Sequence, residues 1–289
     1  MNGIINLLVN GLATGMLIFL LASGLTLIFG LMGVLNFAHG GLFAWGAYGG
    51  VWVYAATGSF AAAVIGAVFM GMLIGLVMER LVIRPVYGNP IQQILVTLGA
   101  MLVLSELLKV AFGPNPLKAG VPPLLNGSWE LGGIIFIKYR LFIIGVGAIV
   151  FAGLLFVLKR TTIGIIVRAG VMNPEMVQAL GIPIRRVFTL VFMAGAGLAA
   201  LGGALLAPYS GVIFAEMGMQ FAILAFIVVV IGGMGSIPGS ALAAVLVGLS
   251  GAFMAYYVPE LSLAANMLLM VIVLLIKPSG LFGAKGGAG

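Results

Sequence analysis

Charged side chains are absent from whole stretches of this sequence. Residues 1–78 contain no Asp, Glu, Lys or Arg, and the gap recurs over 141–158, 187–215, 217–259 and 261–276. About 20 apolar residues in helix cross the hydrocarbon core of a bilayer. In lipid, every backbone N–H and C=O must be satisfied within its own segment, so repeated runs of this length imply a helix bundle. A β-barrel would show short alternating segments with one polar face, and none is present. The pattern predicts spans over 4–29, 36–56, 60–82, 91–112, 141–158, 188–208, 218–236, 240–257 and 261–276. The fold class is therefore an all-α polytopic membrane protein of about eight to nine transmembrane helices. Residues 30–50 fit a broken or re-entrant helix as well as a full crossing, because Gly30, Gly33, Gly40, Gly41, Gly46, Gly49 and Gly50 interrupt them.

Composition narrows the reading. Hydrophobic residues make up 63% and charged residues 7% of the 289, with a mean hydropathy of +1.31. The longest stretches outside the spans are 113–140 and 159–187, too short for a soluble domain, so residues 1–289 read as one transmembrane domain. Cysteine and Asp are absent and there is one His, which leaves no thiolate metal site, disulfide framework or iron–sulfur cluster to expect. No cofactor or metal is expected. The first apolar stretch runs past residue 30 behind an uncharged start, which reads as a retained span and not a cleaved signal.

The net charge of +7 could suggest nucleic acid, but the positions of the charges favour membrane topology. Loops on the cytoplasmic side collect Lys and Arg. With 159–187 placed there, alternation puts 83–90 and the C-terminus on the same side. That side then holds nine basic residues (Arg80, Arg84, Lys159, Arg160, Arg168, Arg185, Arg186, Lys277 and Lys285) against Glu79 and Glu175. The opposite side balances Lys109, Lys118, Lys138 and Arg140 against Glu106, Glu130, Glu216 and Glu260. Nine spans place the N-terminus outside.

Local signals mark two regions. Between spans, Asn173 is a good helix N-cap, Pro174 suits the first helical position and Glu175 complements the positive helix end. Gly181 fits the left-handed stop and Pro183 prevents continuation, so a short helix is expected over 174–180. Elsewhere, Gly30-Leu31-Met32-Gly33 and Gly232-Gly233-Met234-Gly235 each precede a small-residue-rich apolar stretch. Paired Gly-interrupted segments in two halves point to a possible internal repeat and to a transport path. Gly33, Asn36, His39, Gly235 and Ser236 are the candidate path residues. Asn36 and His39 are polar groups near membrane depth, which face either water or a hydrogen-bonded helix break.

Other motifs are weaker. Gly195-Ala196-Gly197-Leu198-Ala199-Ala200 fits a dinucleotide-binding spacing but lacks the strand and soluble βαβ unit that chemistry requires, leaving close helix packing. Glu106 and Lys109 lie three apart and should pair near the outer face. No acid other than Glu106 lies clearly inside a span.

Several segments carry a family resemblance that runs nearly end to end. GLTLIFGLMGVLNFAHG (24–40), the loop residues Glu175, Ala179 and Gly181-Ile182, IGGMGSIPGSALAAVLVG (231–248) and KPSGLFG (277–283) are similar to permease subunits of ATP-binding-cassette importers for branched-chain amino acids, the LivH type. Two positions depart from that pattern: Gly41 stands where members often carry an acid, and Met176-Val177 where two alanines are usual. The resemblance implies a bacterial-type inner-membrane importer subunit that breaks no bond itself. It implies two ATP-binding partner subunits, a second permease subunit of different sequence, a soluble solute-binding protein and surrounding lipid, with no nucleic acid. It assigns coupling to the ATPase to Glu175, Ala179 and Gly181, and the helix cap Asn173 and Arg168 of the same loop are counted with them. An ion-coupled secondary transporter, and importers of urea, amides or aromatic acids, are the alternatives.

Introduced cysteines test the orientation. At Thr162 and Ser279 they should be shielded from an impermeant reagent added outside, whereas one at Ser128 should react. External labelling at Thr162 would invert the whole topology.

Overall fold

The computed structural model describes residues 2–131 and 134–283. Lys285, counted above on the basic side, lies outside the described residues. Eleven α-helices carry the described chain: α1 Asn2–Met32, α2 His39–Thr57, α3 Phe60–Met78, α4 Pro90–Phe112, α5 Lys138–Arg160, α6 Thr162–Met172, α7 Pro174–Ala179, α8 Ile184–Ser210, α9 Met217–Gly232, α10 Ile237–Tyr257 and α11 Ser262–Ile276. Six of these helices or their extensions are long and apolar enough to cross a membrane, and α9 and α11 are shorter apolar helices. Every predicted span corresponds to one helix, and no barrel forms among the described residues.

Small residues set how closely the helices approach. A Cβ on Gly46 of α2 would lie 2.3 Å from the Ala200 Cα of α8, and one on Gly203 of α8 would lie 1.9 Å from the Phe43 oxygen. Both are far inside contact distance, so the α2–α8 seam exists only with glycine there. The dinucleotide-like motif belongs to this packing: Gly195 faces Gly24 of α1, and Ala196 and Ala200 face Gly71 and Gly75 of α3. Apolar burial offers little drive for association in lipid, and close packing with interhelical hydrogen bonds takes its place. Thr26 of α1 and Ser240 of α10 supply one such bond at 2.7 Å, wholly buried, and the Tyr139 hydroxyl donates to the Leu205 oxygen at 2.9 Å.

The bundle has two distinct ends. At one end, β1 (Leu117–Lys118) pairs antiparallel with β4 (Val212–Ile213), and β2 (Ser128–Leu131) and β3 (Ile134–Ile137) form a hairpin. Lys109 reaches Glu106 at 2.9 Å and Glu216 at 2.7 Å there, and that ammonium holds the Glu216 carboxyl below its ordinary range. The Glu106–Lys109 pairing is the one expected from spacing; Glu216 is an addition from a distant loop. The opposite end carries α6 and α7. There Leu31 clusters with Val167 and Val191, Arg84 meets Thr189, and the Gly30 and Gly235 turns touch. Residues 83–90, 159–187 and 277–283 thus share one end, the grouping that charge alone suggested.

Two helices begin or end within the bundle. After Met32 the chain turns at Gly33 (φ 63°) and runs back inward. The His39 Nε2 lies 3.1 Å from the Leu21 oxygen, so α2 starts beside a residue 11 positions before the end of α1. That is about 16 Å along the α1 axis. Residues 30–50 therefore form a break followed by a helix, not a continuous crossing. α9, 16 residues long, runs about 24 Å, less than the hydrocarbon thickness, and begins where a Cβ on Gly40 would fall 2.0 Å from the Gly218 oxygen.

Candidate translocation and coupling site

Irregular backbone at membrane depth survives only where protein or water satisfies it. The 33–38 break shows how. The Thr97 hydroxyl of α4 donates to the Gln93 oxygen at 2.7 Å and accepts from the Phe37 N–H at 3.3 Å. The His39 N–H reaches the Asn36 oxygen at 3.3 Å. Side chains are served less well. Asn36 is 2% exposed, and neither its amide nitrogen nor its oxygen has a partner; the Nδ1 of His39, 1% exposed, has none either. These three polar atoms belong to residues lining a cavity of about 10 Å³ with Leu21, Leu25, Ala222 and Phe226. A buried unpaired polar group costs roughly 1–3 kcal/mol. Asn36 and His39 are thus brought together at the start of α2, against α1 and α9.

The other predicted path residues lie nearer the α6–α7 end. A Cβ on Gly30 would sit 3.0 Å from the Gly235 Cα, so the two Gly-interrupted segments meet directly. Gly33 and Gly235 take left-handed backbone (φ 63° and 85°). Ser236 is occupied as the N-cap of α10, accepting from the Gly239 N–H at 3.2 Å. The tail seals the neighbouring turn: the Leu281 and Phe282 N–H groups donate to the Ile231 and Gly232 oxygens at 2.7 and 3.0 Å. These are orphan carbonyls at the end of α9. The 277–283 motif is therefore a backbone cap on the second break.

In the loop, Asn173 ends α6 and caps α7, its Oδ1 accepting from the Met176 N–H at 2.9 Å. Gly181 adopts φ 83°, the left-handed stop expected from sequence. α7 ends at Ala179, one residue before the predicted limit. Glu175, Met176 and Leu180 are exposed. Arg168 is engaged, donating to the Leu158 oxygen at the end of α5. It fastens α6 to that helix. α6 itself was not foreseen: Thr161 caps it by accepting from the Gly164 N–H at 3.2 Å.

The sequence also concealed a buried acid. Glu79, 0% exposed, ends α3 where the helix widens to a π-turn over Glu79–Ile83. Such turns often mark functional sites. The Arg84 Nη2 donates to Glu79 Oε2 at 2.8 Å and its Nε to Oε1 at 3.1 Å. The Tyr87 hydroxyl donates to Oε1 at 2.7 Å and the Thr189 hydroxyl to Oε2 at 3.0 Å. Burial, then the bond to Glu79, push the Tyr87 phenol far above its usual range. The expectation that no acid other than Glu106 lies inside a span is thus corrected: Glu79 also falls within one, and it is enclosed where Glu106 is exposed. Its five-residue separation from Arg84 hid the pair, because an α-helix brings together residues three or four apart.

Residues 7–276 match the family described as branched-chain amino acid transport system permease component. The chain belongs to this permease family. It is 30% identical over 292 residues to the high-affinity branched-chain amino acid transport system permease protein LivH of Escherichia coli (strain K12), covering 95% of this chain and 94% of LivH. The permease protein LivM of the same strain is 29% identical over 301 residues, with 92% of this chain and 68% of LivM covered. Among solved structures, PsaBC from Streptococcus pneumoniae in complex with Fab shares the fold, with a TM-score of 0.51, 15% identity, and 92% and 89% of the two chains aligned. The permease is thus a transport subunit and not an enzyme.

The Glu79 cluster joins α3 to the start of α8, directly after the α6–α7 loop. Glu79→Ala should lower the stability of the detergent-solubilised permease by about 3 kcal/mol, the low end for a broken buried pair because Arg84 is 35% exposed. Removing Arg84 as well should restore part of that loss. Thermal unfolding of the two variants measures both.

Proposed function

We propose that the permease forms one half of a membrane path importing branched-chain amino acids or a closely related small solute, handed over by a soluble binding protein and driven by two ATP-binding subunits. The family match supports the solute class, and likeness to both LivH and LivM supports pairing with a second, different permease chain. The membrane is a bacterial-type inner membrane, with residues 159–187 and the C-terminal region on the cytoplasmic side, as the basic residues at that end favour. Residues 1–289 act as a single transmembrane unit.

One observation carries the coupling assignment. α7 is closed at both ends, by the Asn173 cap and the left-handed Gly181, and it holds Met176 exposed at 59%, with Leu180 exposed at 73% directly after its last residue. Exposed apolar side chains on a short helix outside the spans suit a groove on a partner protein. Asn173, Glu175, Ala179 and Gly181 define that docking element. Arg168 holds its base on α5, and the Glu79 cluster relays its motion into α3. In the path, Asn36 and His39 supply polar contact, while Gly33, Gly235 and Ser236 shape the turns where two halves of the bundle meet. Alternating access then consists of two global states biased by closure of the ATP-binding partners.

A side chain with a Cβ at a left-handed position costs roughly 1 kcal/mol or more. Gly181→Val should therefore uncouple hydrolysis from transport in the assembled importer, and Glu175→Lys should weaken recovery of the ATP-binding subunits. Normal flux with full complex recovery in both would exclude the docking role.

Asn36→Leu separates path from packing. Removing an unsatisfied amide should stabilise the permease by about 1 kcal/mol, yet slow translocation severalfold with the soluble receptor's affinity unchanged. Unchanged flux would take Asn36 out of the path.

A further inference from the structure

Four arginines gather at the α6–α7 end. Arg80 and Arg84 from the α3 terminus and Arg185 and Arg186 from the first turn of α8 line a cleft of about 420 Å³, together with Thr189 and Leu190. Arg84 is neutralised by Glu79. Arg80, Arg185 and Arg186 are exposed and, among the described residues, have no carboxylate within 4.0 Å. Three uncompensated guanidinium groups at one rim call for an anion. Arg185 and Arg186 also stand at the N-terminal end of a 27-residue helix, where the macrodipole adds positive potential.

Leu190 forms part of that cleft and part of a second one. The second, of about 430 Å³, runs between α1, α5, α6 and α8 past Leu27, Leu154, Val157, Ile163 and Val187, and its residues are wholly apolar. It follows α8 from Val187 to Ala194, about 10 Å of helix. A basic rim and an adjoining apolar trough therefore share one wall at the end of the bundle. This amphipathic pairing excludes a free phosphate as the best occupant, since a phosphate would leave the trough unused. An acidic protein segment would match the rim but not a trough running along the spans.

We propose that the Arg80–Arg185–Arg186 cleft and the Leu190 trough form one site for an anionic phospholipid of the leaflet at that end, with the phosphate held by the arginines and one acyl chain laid along α8. Basic pockets between spanning helices bind anionic head groups, each arginine near the surface adding roughly fivefold. The lipid would sit beside the Glu79 cluster and the base of α6, where its presence bears on the loop that docks the ATP-binding partners. The site goes beyond the transport assignment and stands whichever solute is carried.

Native mass spectrometry of the assembled importer, titrated separately with phosphatidylglycerol, phosphatidylcholine and inorganic phosphate, tests it. The expected result is retention of phosphatidylglycerol over phosphatidylcholine, with phosphate alone failing to displace it at matched concentration. Arg185→Gln with Arg186→Gln should weaken phosphatidylglycerol about thirtyfold. These side chains are exposed, so the fold should be unaffected. Ile163→Trp, at an exposed side chain that lines the trough, should fill it and weaken retention about tenfold, the equivalent of two displaced methylenes. Equal retention of the two lipids, full displacement by phosphate, or retention untouched by either variant would overturn the proposal. So would loss of the ATP-binding subunits from the double variant with lipid retention intact, which would assign the arginines to a protein interface.

Discussion

Everything in this bundle depends on the distance at which its helices can pass one another. Hydrocarbon gives apolar side chains no strong reason to prefer protein over lipid, so stability rests on close contact and on a few buried polar bonds. Along α1 that contact is made mainly with α10, Gly11 against Leu249 and Gly15 against Ala244 with the Thr26–Ser240 bond beyond them, and Gly30 meets Gly235 in the turn just before α10. α8 plays the same part for α2 and α3 through Ala196, Ala200 and Gly203. Two helices that start or stop inside the bundle, α2 and α9, are possible only because this tight frame surrounds their free ends.

The frame also explains how polar groups are tolerated. Thr97 closes the backbone of the 33–38 break, and the 281–282 amides close the end of α9. Among the described residues, the buried side-chain atoms without a partner are the Asn36 amide nitrogen and oxygen, the far nitrogen of His39 and the Asn266 oxygen on α11. Asn36 and His39 sit together where α1, α2 and α9 converge, so most of this unmet polarity falls at one place.

Much of this was legible in the residues. Charge-free runs located the spanning helices other than α4, which carries Glu106 and Lys109 and was placed by its apolar content, and Asn173 and Gly181 located α7, because caps and left-handed stops are local chemistry. The sharing of one end by 83–90 and 159–187 followed from where Lys and Arg collect. Features that need a second element were not legible. Glu79 looks like an interfacial acid until Thr189, 110 residues away, is placed beside it. Its i, i+5 partner Arg84 becomes reachable only through a π-turn, which no helical spacing rule anticipates. α6 escaped notice because Thr161 is a modest cap in a run that reads as loop. The short backbone run of 33–38 was visible as glycine density, but its inward direction was set by α4 and α9.

The contact between α1 and α10 has a bearing on how the molecule is made. Helices enter the bilayer in order of synthesis, and α1 must wait for more than 200 residues before its long glycine face meets its partner. During that interval lipid, or a chaperoning insertase, has to occupy a groove shaped for another helix. The α1–α10 seam therefore joins residues more than 200 positions apart, and it can close only once α10 has been made.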